Sequence, residues 1–265
     1  MTTQAVHHSS DHSSGDSLAT EQVPRIKQVP VTAPLAWLKS GWTTLIHAPG
    51  PSLLYGLLFS IACLAVAALT IRNPGFTTAF LTGLLLIGPV LATGLYVAAR
   101  QHERGEPVSI GASLKLLWDR RTNLSLFVVF LALVMAAWLR LAALLFAVKV
   151  TAFAPTAYNW EGFLNGSFDP VVLGFLVVIG AILALAVFVS SAVAIPLIAD
   201  RDAGPIAAVS TSYQAVRQNL PAMALWAALI AGLTVFGILT WFIGMLFLFP
   251  LLGYATWQSY RDLVE

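Results

Sequence analysis

Residues 205–220, PIAAVSTSYQAVRQNL, stand directly before a long apolar block. Their apolar side chains recur at intervals of three and four, which places them on one face of a helix, while polar side chains occupy the other face. The apolar set is Ile206, Val209, Tyr213, Val216 and Leu220, and the polar set is Ser210, Thr211, Gln214, Arg217 and Gln218. The pattern predicts a helix that lies at a membrane surface and leads into a buried helix.

The composition of the whole chain is typical of a polytopic membrane protein. Hydrophobic residues make up 58% of the 265 residues and charged residues only 10%, with a mean hydropathy of +0.82. Several apolar blocks exceed the roughly 20 residues that cross a bilayer. The lipid bilayer is therefore the expected partner, and nucleic acid is not, because no basic run is interleaved with aromatic residues.

The first 33 residues differ from the rest in composition. They are rich in serine, histidine and aspartate and contain no apolar core, so we expect a disordered cytoplasmic tail. His7, His8 and His12 lie in this tail without a fixed second shell, which favours a solvated segment over a metal site. Residues 34–265 are predicted to form a single transmembrane domain.

Two further stretches repeat the pattern of residues 205–220. Residues 34–48 and 109–123 are also amphipathic and also precede apolar sequence. Their apolar faces carry Leu35, Leu38, Trp42 and Leu45 in the first stretch, and Ile110, Leu114 and Leu117 in the second. Asn123 and Asn219 are each followed by leucine where the surface helix ends. The sequence predicts three repeats of a surface helix plus a helical hairpin, over about residues 34–104, 109–202 and 205–265.

The fold class predicted from these repeats is an all-α membrane bundle with six transmembrane helices, or five as the alternative. Residues 222–257 form a stretch of 36 residues without a charge, too long for one span and short for two. The repeat favours two spans, with a hairpin turn near Thr240 and Trp241. Pro89 and Pro250 each precede an arginine by eleven residues, and we expect both to kink the returning helices.

The distribution of basic residues predicts the topology. With six spans, eleven lysines and arginines fall on the side of the termini, and only Arg72 and Lys149 fall on the other. This asymmetry predicts a multi-pass protein of the bacterial inner membrane with both termini in the cytoplasm. An inner aromatic belt is expected to contain Trp118, Tyr213, Trp257 and Tyr260.

Arg140 is the one basic residue inside a predicted span. An ionisable group at that depth is by default part of a substrate or ion pathway. Arg140 also lies about 24 Å along the span from Leu124, so its side chain can reach the outer headgroups, or pair with Glu161 or Asp169. We favour anchoring. The candidate functional or anchoring residues are Arg140, Asn123, Asn219, Pro89, Pro196 and Pro250.

Three segments carry a family resemblance: RIKQVP…AWLKSGW…PSLLYGLLF, AIPLIADRD…AVSTSYQAVRQNLPAM and FPLLGYATWQSYRDLV. They resemble a bacterial family of integral membrane proteins with a domain of unknown function, over roughly residues 25–265. Residues 250–262 are the most specific part. Some members of that family carry the label cytochrome c oxidase subunit I. The resemblance implies a membrane fold and no particular activity.

The oxidase label disagrees with the histidines of this chain. Haem–copper chemistry needs histidine ligands within the spans. The five histidines, His7, His8, His12, His47 and His102, lie in the tail, a surface helix or a loop. We therefore expect no haem, no other cofactor and no catalytic residues, and we retain a respiratory complex or another membrane protein as a candidate partner.

Two functions remain after this exclusion. We expect a non-enzymatic bundle that binds or organises other membrane components, because the interior is apolar and no catalytic constellation is visible. The alternative is a transporter or channel for a small solute, supported by the repeats and by Arg140. No acidic residue, histidine or lysine lies inside a predicted span, which disfavours a proton or sodium relay.

Overall fold

The computed structural model describes residues 24–70, 83–84, 88–152 and 170–265. The regular structure of this part of the chain is helical, as the composition predicts. The named helices in chain order are α1 (Ala33–His47), α2 (Pro49–Thr70), α3 (Thr93–Glu103), α4 (Ile110–Asp119), α5 (Arg121–Ala152), α6 (Pro170–Ser191), α7 (Ala194–Arg201), α8 (Pro205–Gln218), α9 (Leu220–Leu239) and α10 (Met245–Leu263).

The three predicted surface helices correspond to the short helices α1, α4 and α8. Each is separated by a single residue from the longer helix that follows: Ala48, Arg120 and Asn219. Proline explains two of these breaks, because α2 begins at Pro49 and α9 carries Pro221 in its first turn. A proline there lacks only an N–H that would have no partner within the helix, so it starts a new helix more readily than it extends the old one.

Four helical segments of the described residues are long and apolar enough to cross a membrane: Pro49–Leu69, Arg121–Leu141, Val178–Arg201 and Leu220–Leu239. Ten residues of the second predicted span, residues 76–99, lie outside the described residues: 76–82 and 85–87. Helix α10 follows the fourth segment but carries Gln258, Arg261 and Asp262 near its end. The number of six spans therefore stays a prediction.

The C-terminal hairpin turns where the sequence predicts it. Helix α9 ends at Leu239 and α10 begins at Met245. Trp241 and Phe242 between them have φ angles of 55° and 63°, a left-handed conformation that bulky residues rarely adopt. The Thr240 hydroxyl accepts a hydrogen bond from the Gly244 N–H at 3.0 Å and so ties the turn to the start of α10.

The predicted fourth span is not one continuous helix. Residues 192–193 separate α6 from α7, three residues before Pro196. Pro196 has no N–H to donate to the carbonyl of Ala192, which weakens the helix at this point. Ser212 of α8 bridges the break, because its hydroxyl accepts from the Val193 N–H at 3.2 Å and donates to the Val189 carbonyl at 2.8 Å.

Helix α10 lies at the centre of the described bundle and packs against α1, α2, α3 and α9. Glycines allow the closest approaches. A Cβ added to Gly56 of α2 would overlap the Leu246 carbonyl, and one added to Gly41 of α1 would lie 2.9 Å from the Ala255 nitrogen. Small residues at helix contacts are the usual solution in membrane proteins, where backbone proximity replaces the hydrophobic driving force.

Residues 24–33 belong to the folded part of the chain rather than to the predicted disordered tail. The Lys27 N–H donates to the Leu263 carbonyl at 2.9 Å, and the Glu265 N–H donates to the Arg25 carbonyl at 3.1 Å. These bonds offset the entropy of ordering a segment that has no apolar core of its own. Ile26 and Val264 between them form an antiparallel β-bridge. We call this pairing of residues 25–27 with residues 263–265 the terminal clasp. Residues 1–23 of the predicted tail lie outside the described residues.

The short helices expose several large apolar side chains, although Trp37 of α1 is buried. In α1, Leu35 and Trp42 are exposed, whereas Gly41 and Thr44 are buried. In α8, Ile206 and Tyr213 are exposed, whereas the small residues of the opposite face are buried: Ala208, Thr211, Ser212 and Ala215. The described residues of the predicted apolar stripes divide into three groups. Leu38, Leu45 and Val209 are partly buried against the core, and Val216 is buried. The others are exposed: Leu35, Trp42, Leu114, Ile206, Tyr213 and Leu220.

Candidate functional site

Three carboxylates near the ends of helices each hold a buried aromatic side chain. Glu103 ends α3, Asp200 lies in the last turn of α7, and Asp262 lies in the last turn of α10. The bonds are Trp257 Nε1 to Glu103 Oε1 at 3.0 Å, the Tyr260 hydroxyl to Asp200 Oδ2 at 2.8 Å, and Trp37 Nε1 to Asp262 Oδ2 at 2.7 Å. We call these the three acid–aromatic pairs. They join α1, α3, α7 and α10 at one end of the bundle.

Arginine side chains partly neutralise the carboxylates of two of the pairs. Arg100 Nη1 lies 3.4 Å from Asp200 Oδ1, and Arg261 Nε lies 3.6 Å from Glu103 Oε2. Both contacts are partly exposed, so each contributes little by itself to stability. Burial raises the pKa of the Tyr260 phenol above its ordinary value, and the negative charge of Asp200 raises it further. Tyr260 therefore stays a proton donor to Asp200 at neutral pH.

Sequence reasoning did not single out these six residues. Trp257 and Tyr260 were expected in a membrane-facing aromatic belt, but both are buried, because their polar atoms find carboxylate partners inside the protein. Trp118 and Tyr213 are exposed, as the belt prediction requires. A usable signal was present: an acidic residue stands close to an arginine at the end of α3, α7 and α10. Which aromatic residue each carboxylate holds depends on tertiary structure.

Asn219, a candidate from the sequence, is a buried hydrogen-bonding centre between α8 and α9. Its Oδ1 accepts from the Val29 N–H at 2.8 Å, and its Nδ2 donates to the carbonyls of Lys27 at 2.9 Å and Ala215 at 3.1 Å. The side chain thus connects the junction between α8 and α9 to the segment that leads into α1.

Asn123 has a matching role near the start of α5. Its Nδ2 donates to Oδ1 of Asp202 at 3.0 Å and to the carbonyl of Asp202 at 3.2 Å, and Arg120 Nη1 lies 2.6 Å from Asp202 Oδ2. Asp202 lies in the segment that leads into α8. The two asparagines therefore make the same kind of contact at the two sites, from the end of one short helix to the entry of another.

A third contact completes a cycle. His47 at the end of α1 stacks on His102 in the last turn of α3, the helix before α4, with 5.3 Å between ring centroids. The end of α1 thus contacts the helix before α4. The end of α4 contacts the segment before α8, and the end of α8 contacts the segment before α1. We call these three contacts the entry cycle. Within the described residues, no group of three or more His, Cys, Asp or Glu could hold a metal ion.

The other candidate residues lie apart from this end of the bundle. Arg140 is exposed on α5 and makes no ion pair with a described residue, and its proposed partners Glu161 and Asp169 lie outside the described residues. Pro89 lies in a helical turn before α3, Pro196 follows the α6–α7 break, and Pro250 lies inside α10, buried. The structure does not bring Arg140 together with the prolines or the asparagines into one site.

Comparison with known proteins gives one family. Residues 77–200 match the family model described as "Predicted integral membrane protein (DUF2189)", which has no assigned function. The match runs from before α3 to Asp200 of α7 and confirms the resemblance to a family of integral membrane proteins. No curated protein and no solved structure matches the chain.

Proposed function

We propose that this integral membrane protein is a non-enzymatic bundle that binds and organises other membrane components. The observation that carries the proposal is that each of the three short helices exposes at least two large apolar side chains. They are Leu35, Trp42 and Ile46 on α1, Leu114 and Trp118 on α4, and Ile206 and Tyr213 on α8. Contiguous apolar side chains that face away from a protein mark contact with a membrane or with a partner.

The polar groups of the candidate site support a structural role rather than a chemical one. Glu103, Asp200 and Asp262 each accept a hydrogen bond from a buried aromatic residue. A general acid or base needs a group that faces substrate with a pKa suited to proton transfer. Carboxylates that hold the framework together fit poorly with that task, which favours a protein that is not an enzyme.

The entry cycle supports the three-unit architecture that the sequence predicts. Three contacts in corresponding positions, each from the end of a short helix toward the start of the next, are expected when one unit is repeated around an axis. We propose six spans, with α1, α4 and α8 on the cytoplasmic side of a bacterial inner membrane together with both termini. The excess of lysine and arginine on that side supports this orientation.

The proposal predicts a stable partner, with a respiratory complex or another membrane protein as the candidate. We would purify the full chain from native membranes in mild detergent and quantify co-purifying proteins against a Trp42→Ala/Ile46→Ala variant. Val129→Ala/Leu133→Ala is the matched control, because these exposed residues lie on α5 away from the short helices. We expect one partner near equal stoichiometry with the wild type and the control, and its loss with the α1 variant.

The competing function is transport of a small solute. Reconstitution into liposomes tests it directly: solute flux that depends on this protein and disappears in Arg140→Leu would overturn the scaffold proposal. The absence of any stoichiometric partner, or equal partner recovery with both double variants, would also count against it.

A further inference from the structure

An apolar groove lies between α6 and α8 and has a volume of about 720 Å³. Pockets that bind small ligands have volumes of roughly 300–1,000 Å³. The groove is lined by Ile182, Leu185, Ala186, Val189 and Ser190 of α6 and by Ile206, Val209, Ser210 and Tyr213 of α8. Its size is therefore suitable for one chain-like ligand.

The walls of the groove are suited to hydrocarbon. Ile206 is 87% exposed, and Ile182 and Leu185 are also exposed. The Ser190 hydroxyl donates to the carbonyl of Ala186 at 2.8 Å, so its hydrogen is used within its own helix. A serine bonded in this way adds little polarity to the wall. The occupant must therefore be apolar along most of its length.

One end of the groove is polar and positively charged. Ser210 and Tyr213 line the groove and also line a second depression of about 630 Å³, together with Gln214, Arg217 and Gln218. Arg217 is exposed and forms no ion pair with any residue that the structure describes. A guanidinium group offers several N–H donors in a plane that matches the oxygens of a phosphate.

An apolar groove that leads to an exposed guanidinium fits a ligand that is apolar along most of its length and anionic at one end. Ile206 and Arg217 are eleven positions apart on α8, about 16 Å along the helix axis. We propose that the groove binds an acyl chain of an anionic phospholipid whose phosphate pairs with Arg217. A transmembrane segment of another protein would cover the apolar walls but would leave the guanidinium without an anion.

This inference rests on the proposed function, since it names an anionic phospholipid as one membrane component that the bundle holds. It concerns α6 and α8, whereas the partner experiment above concerns α1. Failure of the lipid-binding proposal can therefore be distinguished from failure of the partner-binding proposal.

Native mass spectrometry of the full chain in mild detergent tests the site. Phosphatidylglycerol and phosphatidylcholine with the same acyl chains are added in equal amounts, and retained lipid is counted. We expect preferential retention of phosphatidylglycerol by about fivefold, the size expected for one arginine near anionic lipid. Arg217→Gln should remove the preference, and Ala186→Phe, which fills the groove from an exposed position, should lower retention of both lipids.

Two further variants make the result decisive. Arg104→Gln removes another exposed arginine of the same predicted side and should leave the preference unchanged, whereas Arg217→Lys should retain most of it. An equal loss in Arg104→Gln and Arg217→Gln, or equal retention of the two lipids by the wild type, would overturn the proposal. Undiminished retention in Ala186→Phe would also overturn it, because the acyl chain would then lie elsewhere.

Discussion

Asn219 is only 4% exposed and satisfies three backbone groups with one carboxamide. Leaving buried donors and acceptors without partners costs more than a hydrogen bond contributes, because the lost solvation is not recovered. Asn123 makes the comparable contact in a more exposed setting, where water can replace its bonds to Asp202. The two asparagines therefore allow the effect of a buried polar contact on stability to be compared with that of a more exposed one.

We predict that Asn219→Ala lowers stability by about 1–3 kcal/mol and Asn123→Ala by less than about 1 kcal/mol. Thermal unfolding in detergent measures the order of the two effects. Hydrogen exchange at the Val29 amide gives a local check, since that N–H loses its acceptor only in Asn219→Ala. Equal melting temperatures for the two variants, or unchanged exchange at Val29, would contradict the assignment.

The environment of Tyr260 leads us to expect a particular loss of stability at alkaline pH. Because burial and Asp200 raise its pKa in the folded state, its contribution to stability is complete below the unfolded value of about 10 and declines as the pH rises toward the folded pKa. The melting temperature of the wild type should therefore fall more steeply above about pH 10 than that of Tyr260→Phe. Parallel curves for the two proteins would show that Tyr260 does not ionise in this range.

The residue roles could be predicted only in part. The shared Asn-Leu pattern marked Asn123 and Asn219, and both make contacts at the ends of short helices. The partners of these asparagines could not be read from the sequence, because Lys27 and Val29 lie about 190 residues from Asn219. The acid–aromatic pairs were missed for the same reason: a tryptophan near a span end fits a lipid-facing belt as well as a buried contact.

At the scale of helices, the contact between α2 and α10 depends on the absence of a side chain at Gly56. A Cβ there would overlap the carbonyl of Leu246, and a backbone group cannot move aside as a flexible side chain can. The stacking of Phe59 on Phe249, with centroids 4.0 Å apart, lies along the same contact. Separation of the helices would therefore disturb aromatic packing as well.

We predict that Gly56→Ala destabilises the protein by about 1–3 kcal/mol, the usual cost of overpacking. Gly232→Ala in α9 is the matched control, because a Cβ at Gly232 meets nothing within 4 Å, and alanine there should be neutral or slightly stabilising. Thermal unfolding in detergent distinguishes the two variants. A Gly56→Ala protein as stable as the control would show that α2 and α10 pack less closely than described.

The local sequence predicted the ends of the helices better than it predicted which face of each helix is buried. Proline and the change from amphipathic to apolar sequence placed α1 and α8 correctly, and the expected hairpin placed the turn after Leu239. The break at residues 192–193 was missed, because the composition there is uniformly apolar and only Pro196 marks it. The small residues that pack α8 against the bundle gave no hydrophobic signal, since in a membrane the large apolar side chains are free to face lipid.

At the scale of the whole molecule, the membrane topology depends on how many times the chain crosses the bilayer. We predict opposite sides for residue 104, before α4, and residue 243, in the turn between α9 and α10, because six spans place an odd number of crossings between them. Arg104→Cys and Ile243→Cys, made in a Cys63→Ala background, would be labelled with a membrane-impermeant maleimide in intact and in opened cells. Both positions are exposed. Labelling of the two from the same side would exclude the six-span topology.

The class of fold could be predicted from composition alone. The three-unit organisation inferred from the recurrence of residues 34–48, 109–123 and 205–220 stays a prediction. The closure of the bundle could not be predicted. It depends on pairings such as Trp37 with Asp262 and Lys27 with Leu263, which join residues more than 200 positions apart. Hydrophobic periodicity indicates which face of a helix is apolar, but it does not show which distant segment packs against that face.

The terminal clasp also determines the order of events during synthesis. Lys27 leaves the ribosome 236 residues before Leu263, its hydrogen-bond partner, a delay on the order of 10–50 s at normal rates of translation. During that time residues 25–27 lack their partners in residues 263–265, although the helices that lie between the two segments in the sequence are already entering the bilayer. Pairing of the clasp is therefore a late step of biogenesis, and protection of residues 25–27 from protease in nascent chains would report that the bundle has closed.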